Sequence, residues 1–197
     1  MTPRKKSRLA DALLLTPGAG ADRNQSALVA VDEALSSDGI TVERMDFPYR
    51  RAGRKAPDRP PVLLEAVREG AAALATRAGV APDRIAVGGR SMGGRICSMA
   101  VAEGLPAAAL VLVSYPLHPP GKRDQLRTDH FPEVRVPCLF VSGTKDAFGT
   151  PEELESATGL IPGPVTHVWL EGGSHGLRGH DARVASTIRA WLLGVPG

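Results

Sequence analysis

Cysteine is scarce in this chain, with Cys97 and Cys138 the two in 197 residues, each inside an apolar stretch. Two such thiols build no disulfide framework, so a disulfide-stapled secreted scaffold is excluded and buried free thiols in a reducing compartment are expected. Aromatic residues are equally sparse at 4%, which leaves the core to Ala, Val, Leu and Ile. No apolar run approaches the roughly 20 residues that cross a bilayer. Near the N-terminus Ala12-Leu13-Leu14-Leu15 is too short for a signal peptide. Charge of one sign is lacking too: 24 basic against 21 acidic residues leave +3, too balanced to argue for nucleic acid. A cytoplasmic protein with neither nucleic acid nor membrane as partner is the expectation. Five scattered histidines and two cysteines have no metal-ligand spacing, so no metal is expected.

What is present fits one domain. The 43% hydrophobic content suffices for a substantial core, and no linker or internal repeat divides residues 1–197. The basic excess is local. Arg4-Lys5-Lys6-Ser7-Arg8 reads as part of a flexible tail over residues 1–8, and Arg50 to Lys55 as a solvated loop. A functional alternative for the second cluster is attraction of an anionic substrate or partner.

Short apolar runs alternate with segments of helical period. Strands are expected at Ala10 to Leu15, Ile40 to Asp46, Arg84 to Val87, Ala109 to Ser114, Cys138 to Ser142 and Thr166 to Leu170. Near-continuous apolar character suits parallel strands covered on both faces. Helices are expected at Asp22 to Ser37, Pro61 to Ala78, Ser91 to Glu103 and Pro151 to Ala157, the last capped by Thr150. A terminal helix carries Val184, Ile188, Trp191 and Leu192 at core spacing. Phe47 to Pro60 and Tyr115 to Pro137 read as long loops, expected to line a pocket. The pattern implies an α/β fold, a mostly parallel sheet of about six strands wound on both faces.

Gly89-Arg90-Ser91-Met92-Gly93 lies between a strand and a helix. Small neighbours let strand and helix approach closely enough to hold a serine in a sharp turn, with its hydroxyl above the sheet edge. Chance supplies such a motif roughly 0.1 times in a chain of this composition, so context decides. A phosphate-binding loop shares the spacing of Gly89 to Gly94 but needs Lys and Ser or Thr next, where Arg95 and Ile96 stand. Asp146 follows the strand ending near Ser142, and His175 sits in a glycine-rich loop after the last strand. Ligands bind outside the carboxyl ends of parallel strands. The order Ser91, Asp146, His175 is that of α/β-hydrolases. Asp124 and Asp129 are rival acids and His180 a rival base; His118 and His130 are expected at the surface, and His167 in a structural role.

The phrases GGRSMGG, VSGTKDAFG and GGSHGL, with Tyr115 to Lys122, resemble a group of small α/β-hydrolases related to testis-expressed protein 30 and to the hydrolase-like domain of an NSL-complex subunit. The resemblance spans nearly the whole chain and implies a minimal α/β-hydrolase core without the first strands of larger relatives. It also implies oxyanion donors at the backbone N–H groups of Met92 and Ala19. Thr16 to Ala21 resembles the family's His-Gly-x-Gly loop, with Pro17 where relatives commonly carry histidine. The expected function is a carboxylesterase-type serine hydrolase acting on a small ester or thioester through Ser91, His175 and Asp146, without metal or organic cofactor. The eukaryotic relatives imply an alternative, a non-catalytic binding or scaffold protein on the same fold.

Overall fold

A computed structural model describes residues 8–195. The expected basic tail therefore lies outside the described residues, except for Arg8. That residue is anchored rather than free: its guanidinium donates to Asp11 at 2.6 Å and to the carbonyls of Asp38 and Gly39.

In chain order the elements are β1 (Ala12–Thr16), α1 (Ser26–Ser36), β2 (Thr41–Arg44), α2 (Pro48–Arg51), α3 (Pro60–Ala78), β3 (Ile85–Arg90), α4 (Met92–Ala102), β4 (Ala109–Val113), β5 (Cys138–Gly143), α5 (Pro151–Thr158), β6 (Val165–Leu170) and α6 (Asp181–Leu193). The six strands form one sheet in the order β2-β1-β3-β4-β5-β6, and every neighbouring pair is parallel. Successive side chains of a strand point to opposite faces, and here both faces are buried. Leu13 and Leu15 pack with Leu28, Val31 and Leu35 of α1 and with Val184, Ile188 and Leu192 of α6. Leu14, Val87, Leu112 and Phe140 pack on the other side with Leu63, Val67 and Leu74 of α3 and Ile96 of α4. Each fully buried leucine contributes about 1.5–3 kcal/mol.

Several boundaries depart from the sequence pattern for identifiable reasons. β3 runs past Val87 through Gly88 and Gly89 to Arg90, paired with Val111, Leu112 and Val113. The ladder uses backbone groups, so it continues where the apolar side chains stop. α1 starts at Ser26 rather than Asp22, because Asp22 Oδ1 accepts the Asn24 N–H at 2.9 Å and holds a turn. The Phe47 to Pro60 segment contains α2, and its Phe47 and Tyr49 are fully buried. In the second long segment Tyr115, Leu117, Phe131 and Val134 are buried. Tyr115 lies 5.4 Å from Phe131 and 5.8 Å from Phe140, centroid to centroid. Tyr115, Phe131 and Phe140 thus form one aromatic cluster beneath the segment that follows β4. Thr150 caps α5 as expected, accepting from the Glu153 N–H at 3.3 Å while the Glu153 carboxylate accepts from the Thr150 N–H at 2.8 Å.

β1 lies between β2 and β3, so the chain leaves it on one side first and on the other later. Such a switch point opens a crevice beyond the carboxyl ends of the strands. Among the described residues no helix is long and apolar enough to cross a membrane.

Candidate active site

Ser91 follows β3 and caps α4 with φ 51° and ψ −119°. This conformation costs a non-glycine residue about 1–3 kcal/mol, and the packing around it holds the turn in place. The Ser91 N–H donates to the Val113 carbonyl at 2.8 Å. A Cβ on Gly93 would lie 2.4 Å from Thr16 Oγ1 and 2.5 Å from the Pro17 carbonyl oxygen. Only glycine lets the start of α4 come this close to the end of β1, which brings the loop after β1 beside the serine.

Ser91 Oγ lies 2.8 Å from His175 Nε2. The other ring nitrogen, Nδ1, lies 3.0 and 2.9 Å from the two carboxylate oxygens of Asp146. Asp146 is buried, with a side chain 2% exposed, whereas that of His175 is 22% exposed. The two loops that carry them are locked together. The Lys145 N–H donates to the Gly173 carbonyl at 2.8 Å, and a Cβ on Gly143 would lie 2.1 Å from the same oxygen. Asp146 Oδ1 also accepts the Phe148 N–H at 2.8 Å, which turns the chain so that the Phe148 ring stacks on His175 at 4.0 Å between centroids. Arg90 donates to the His175 carbonyl oxygen. Burial lowers the Arg90 guanidinium pKa, opposed by the charges of Asp146 and Asp181.

Of the residues expected at the site, Ser91, His175 and Asp146 come together, and Met92 and Ala19 line the same cavity of about 440 Å³. The Met92 and Ala19 N–H groups have no hydrogen-bond acceptor among the described residues. The rival acids Asp124 and Asp129 are exposed. Two histidines expected at the surface are not there. His118 is 2% exposed, with Nδ1 2.8 Å from the Pro119 carbonyl oxygen and Nε2 3.4 Å from Glu153. His130 is half-buried, with Nε2 2.8 Å from Ser98 Oγ. Its pKa is pushed down to about 4 by burial and then by the charge of Arg95. His167 stacks between Phe140 and Trp169, with Thr158 2.9 Å from its Nε2.

The cavity is also lined by residues that pattern reading passed over: Gln25, Arg90, Arg95, Pro116, Arg127 and Phe148. Gln25 accepts the Gly18 N–H at 3.0 Å, and the Tyr49 hydroxyl accepts the Gly20 N–H at 3.2 Å. These two side chains anchor the loop that contains Pro17. No local pattern marks Gln25 or Tyr49, whereas Arg95 could have been found as the residue one helical turn after Ser91. Phe47 to Pro60 does not line the cavity. Its basic cluster is partly neutralised, Arg50 lying 3.3 Å from Asp22 and Arg54 2.7 Å from Asp58. Among the described residues no three His, Cys, Asp or Glu side chains gather so as to hold a metal ion.

A dienelactone hydrolase from Anabaena variabilis superposes with a TM-score of 0.73 at 19% identity, over 95% of this chain and 88% of that one. Est1E from Butyrivibrio proteoclasticus gives 0.74 at 16% identity, over 98% and 90%. An α/β serine hydrolase without a lid from Xanthomonas campestris gives 0.72 at 18% identity, over 98% and 88%. At these identities the likeness is one of fold. Residues 10–190 match the sequence model of the alpha/beta hydrolase domain, and the chain belongs to that family.

Proposed function

We propose that the protein is a carboxylesterase-type serine hydrolase that cleaves a small ester or thioester through an acyl-enzyme. The observation that carries this reading is the continuous hydrogen-bonded line from Ser91 Oγ through His175 to the buried carboxylate of Asp146. With Asp146 accepting from Nδ1–H, the neutral ring presents the Nε2 lone pair to the serine hydroxyl. Ser91 Oγ attacks the acyl carbonyl carbon while its proton passes to Nε2. The negative charge that develops on the carbonyl oxygen is held by the Met92 and Ala19 N–H groups. The tetrahedral species collapses, the C–O or C–S bond breaks, and Nε2–H protonates the leaving group. Water then attacks the acyl carbon, His175 accepts its proton, and Ser91 is released with the acid. Throughout, Asp146 keeps the ring oriented and stabilises the imidazolium.

Three strand-end motifs resembling the testis-expressed protein 30 group support placing the chain near it within the family. An active-site-directed fluorophosphonate tests the enzyme reading. Labelling of the wild type that is lost in Ser91→Ala is the expected result. No labelling of well-folded protein would instead favour a binding or scaffold role.

A further inference from the structure

Three arginines, Arg90, Arg95 and Arg127, line the cavity beside Ser91, and no Asp or Glu does. Arg90 is occupied by the His175 carbonyl. Arg95 and Arg127 are partly buried, unlike the exposed arginines Arg51, Arg59, Arg178 and Arg183, which also lack an acidic partner among the described residues. Arg84 and Arg189 lie 2.7 and 2.6 Å from the carboxylates of Asp11 and Asp38, but among the described residues Arg95 and Arg127 pair with no carboxylate. Arg95 Nε is buried without a hydrogen-bond partner. Arg127 donates to the Pro116 carbonyl at 3.3 Å, its pKa held below the ordinary arginine value by burial and then by Arg95. Two like charges in a partly desolvated pocket repel, and a buried charged donor without an acceptor is costly. An oxyanion bound between them removes both penalties.

The position is informative. The Arg95 N–H donates to the Ser91 carbonyl at 3.1 Å, so Arg95 sits about one helical turn, or ~5.4 Å, along α4 from the serine that precedes it, and both line the cavity. We propose that the substrate's acyl group carries a carboxylate, held by Arg95 and Arg127, three or four bonds from the carbonyl that Ser91 attacks. The substrate is then a monoester or thioester of a short dicarboxylic acid. This inference rests on Ser91 as the nucleophile. Arginine suits the role because its planar fork matches a carboxylate and stays charged.

The test compares p-nitrophenyl hydrogen glutarate with its neutral isostere, p-nitrophenyl methyl glutarate. Wild-type kcat/KM is expected to favour the anionic ester by about 100-fold, the preference shrinking in high salt. Arg95→Gln and Arg127→Gln should each cut that ratio by about 10-fold, and Arg127→Lys by less. A 4-phosphonobutyrate ester run beside them tells a tetrahedral from a planar anion: preference for the glutarate ester meets the expectation, and preference confined to the phosphonate overturns the carboxylate assignment. Equal kcat/KM for charged and neutral esters in the wild type overturns the proposal, whether or not the arginine variants fold. A second arm needs no turnover: the two glutarate esters are titrated calorimetrically into full-length Ser91→Ala protein. Preferential binding of the anionic ester without fluorophosphonate labelling of the wild type would sink the esterase reading and keep the anion site. Labelling with no anionic preference in either arm would do the reverse.

Discussion

Replacing Gly93 with alanine adds one methyl group where β1 meets α4. In the middle of a helix, Gly→Ala ordinarily stabilises by about 0.5–1 kcal/mol, an upper bound for Gly93 in the first turn of α4. Here the new Cβ would sit 2.4 Å from Thr16 Oγ1, 2.5 Å from the Pro17 carbonyl oxygen and 2.7 Å from that of Thr16. Relief to ordinary contact near 3.4 Å requires α4 and the loop to part by roughly 0.7–1 Å. Thr16 cannot yield freely, because its hydroxyl donates to the Gly88 carbonyl at 2.9 Å inside the sheet. Overpacking of this kind costs about 1–3 kcal/mol, so Gly93→Ala should come out net destabilised by about 1–2 kcal/mol, opposite in sign to the helix-propensity effect. The loop forced away carries the Ala19 N–H. A displacement near 1 Å at a reacting centre costs on the order of 100-fold, and kcat/KM on p-nitrophenyl acetate should fall by about that factor. Urea unfolding midpoints and steady-state kinetics on the same preparations provide the check. A raised midpoint, or kcat/KM within threefold of wild type, would refute the reasoning that this contact sets the loop.

Two further outcomes follow from the same geometry. Asp146→Asn keeps an oxygen able to accept the Phe148 N–H but removes the carboxylate facing Nδ1. The circular dichroism spectrum should stay native while kcat drops by about 10⁴, and a drop under tenfold would refute the orienting role. His130, pushed down from 6.5 to about 4, is held neutral by the fold while the unfolded chain protonates it. Its contribution is present in full above pH 6.5 and is lost as pH falls toward 4, by up to about 3 kcal/mol. Urea unfolding at pH 7.5 and 4.5 should therefore lose less stability in His130→Gln than in wild type, and equal losses would exclude this source.

Motif and acid–base residues were legible because each sits at the carboxyl end of a strand whose apolar run announces it. His175 stands out among the glycines that follow Leu170, and Asp146 follows Ser142 after a short turn. The anchors of the loop after β1 were not legible. Gln25 reaches back seven residues to Gly18, and Tyr49 reaches Gly20 from another element. Neither hydrogen bond has a signature in spacing. His118 and His130 lie inside rather than at the surface because polar surroundings in sequence say nothing of what folds over them, here Glu153 of α5 against His118 and Ser98 of α4 with the Phe131 ring against His130.

By itself the amino-acid sequence determined the α/β alternation, the two-faced burial of the strands and the order of serine, acid and base. Those are properties of local periodicity and of which residue types end each run. Tertiary structure alone decided which acid and which histidine meet the serine, through strand order and the contact between the loops at Gly143 and Gly173. It also decided that two arginines, four and thirty-six residues after Ser91, face one cavity without a carboxylate between them. Charge pairing depends on distance in space, and distance along the chain does not report it.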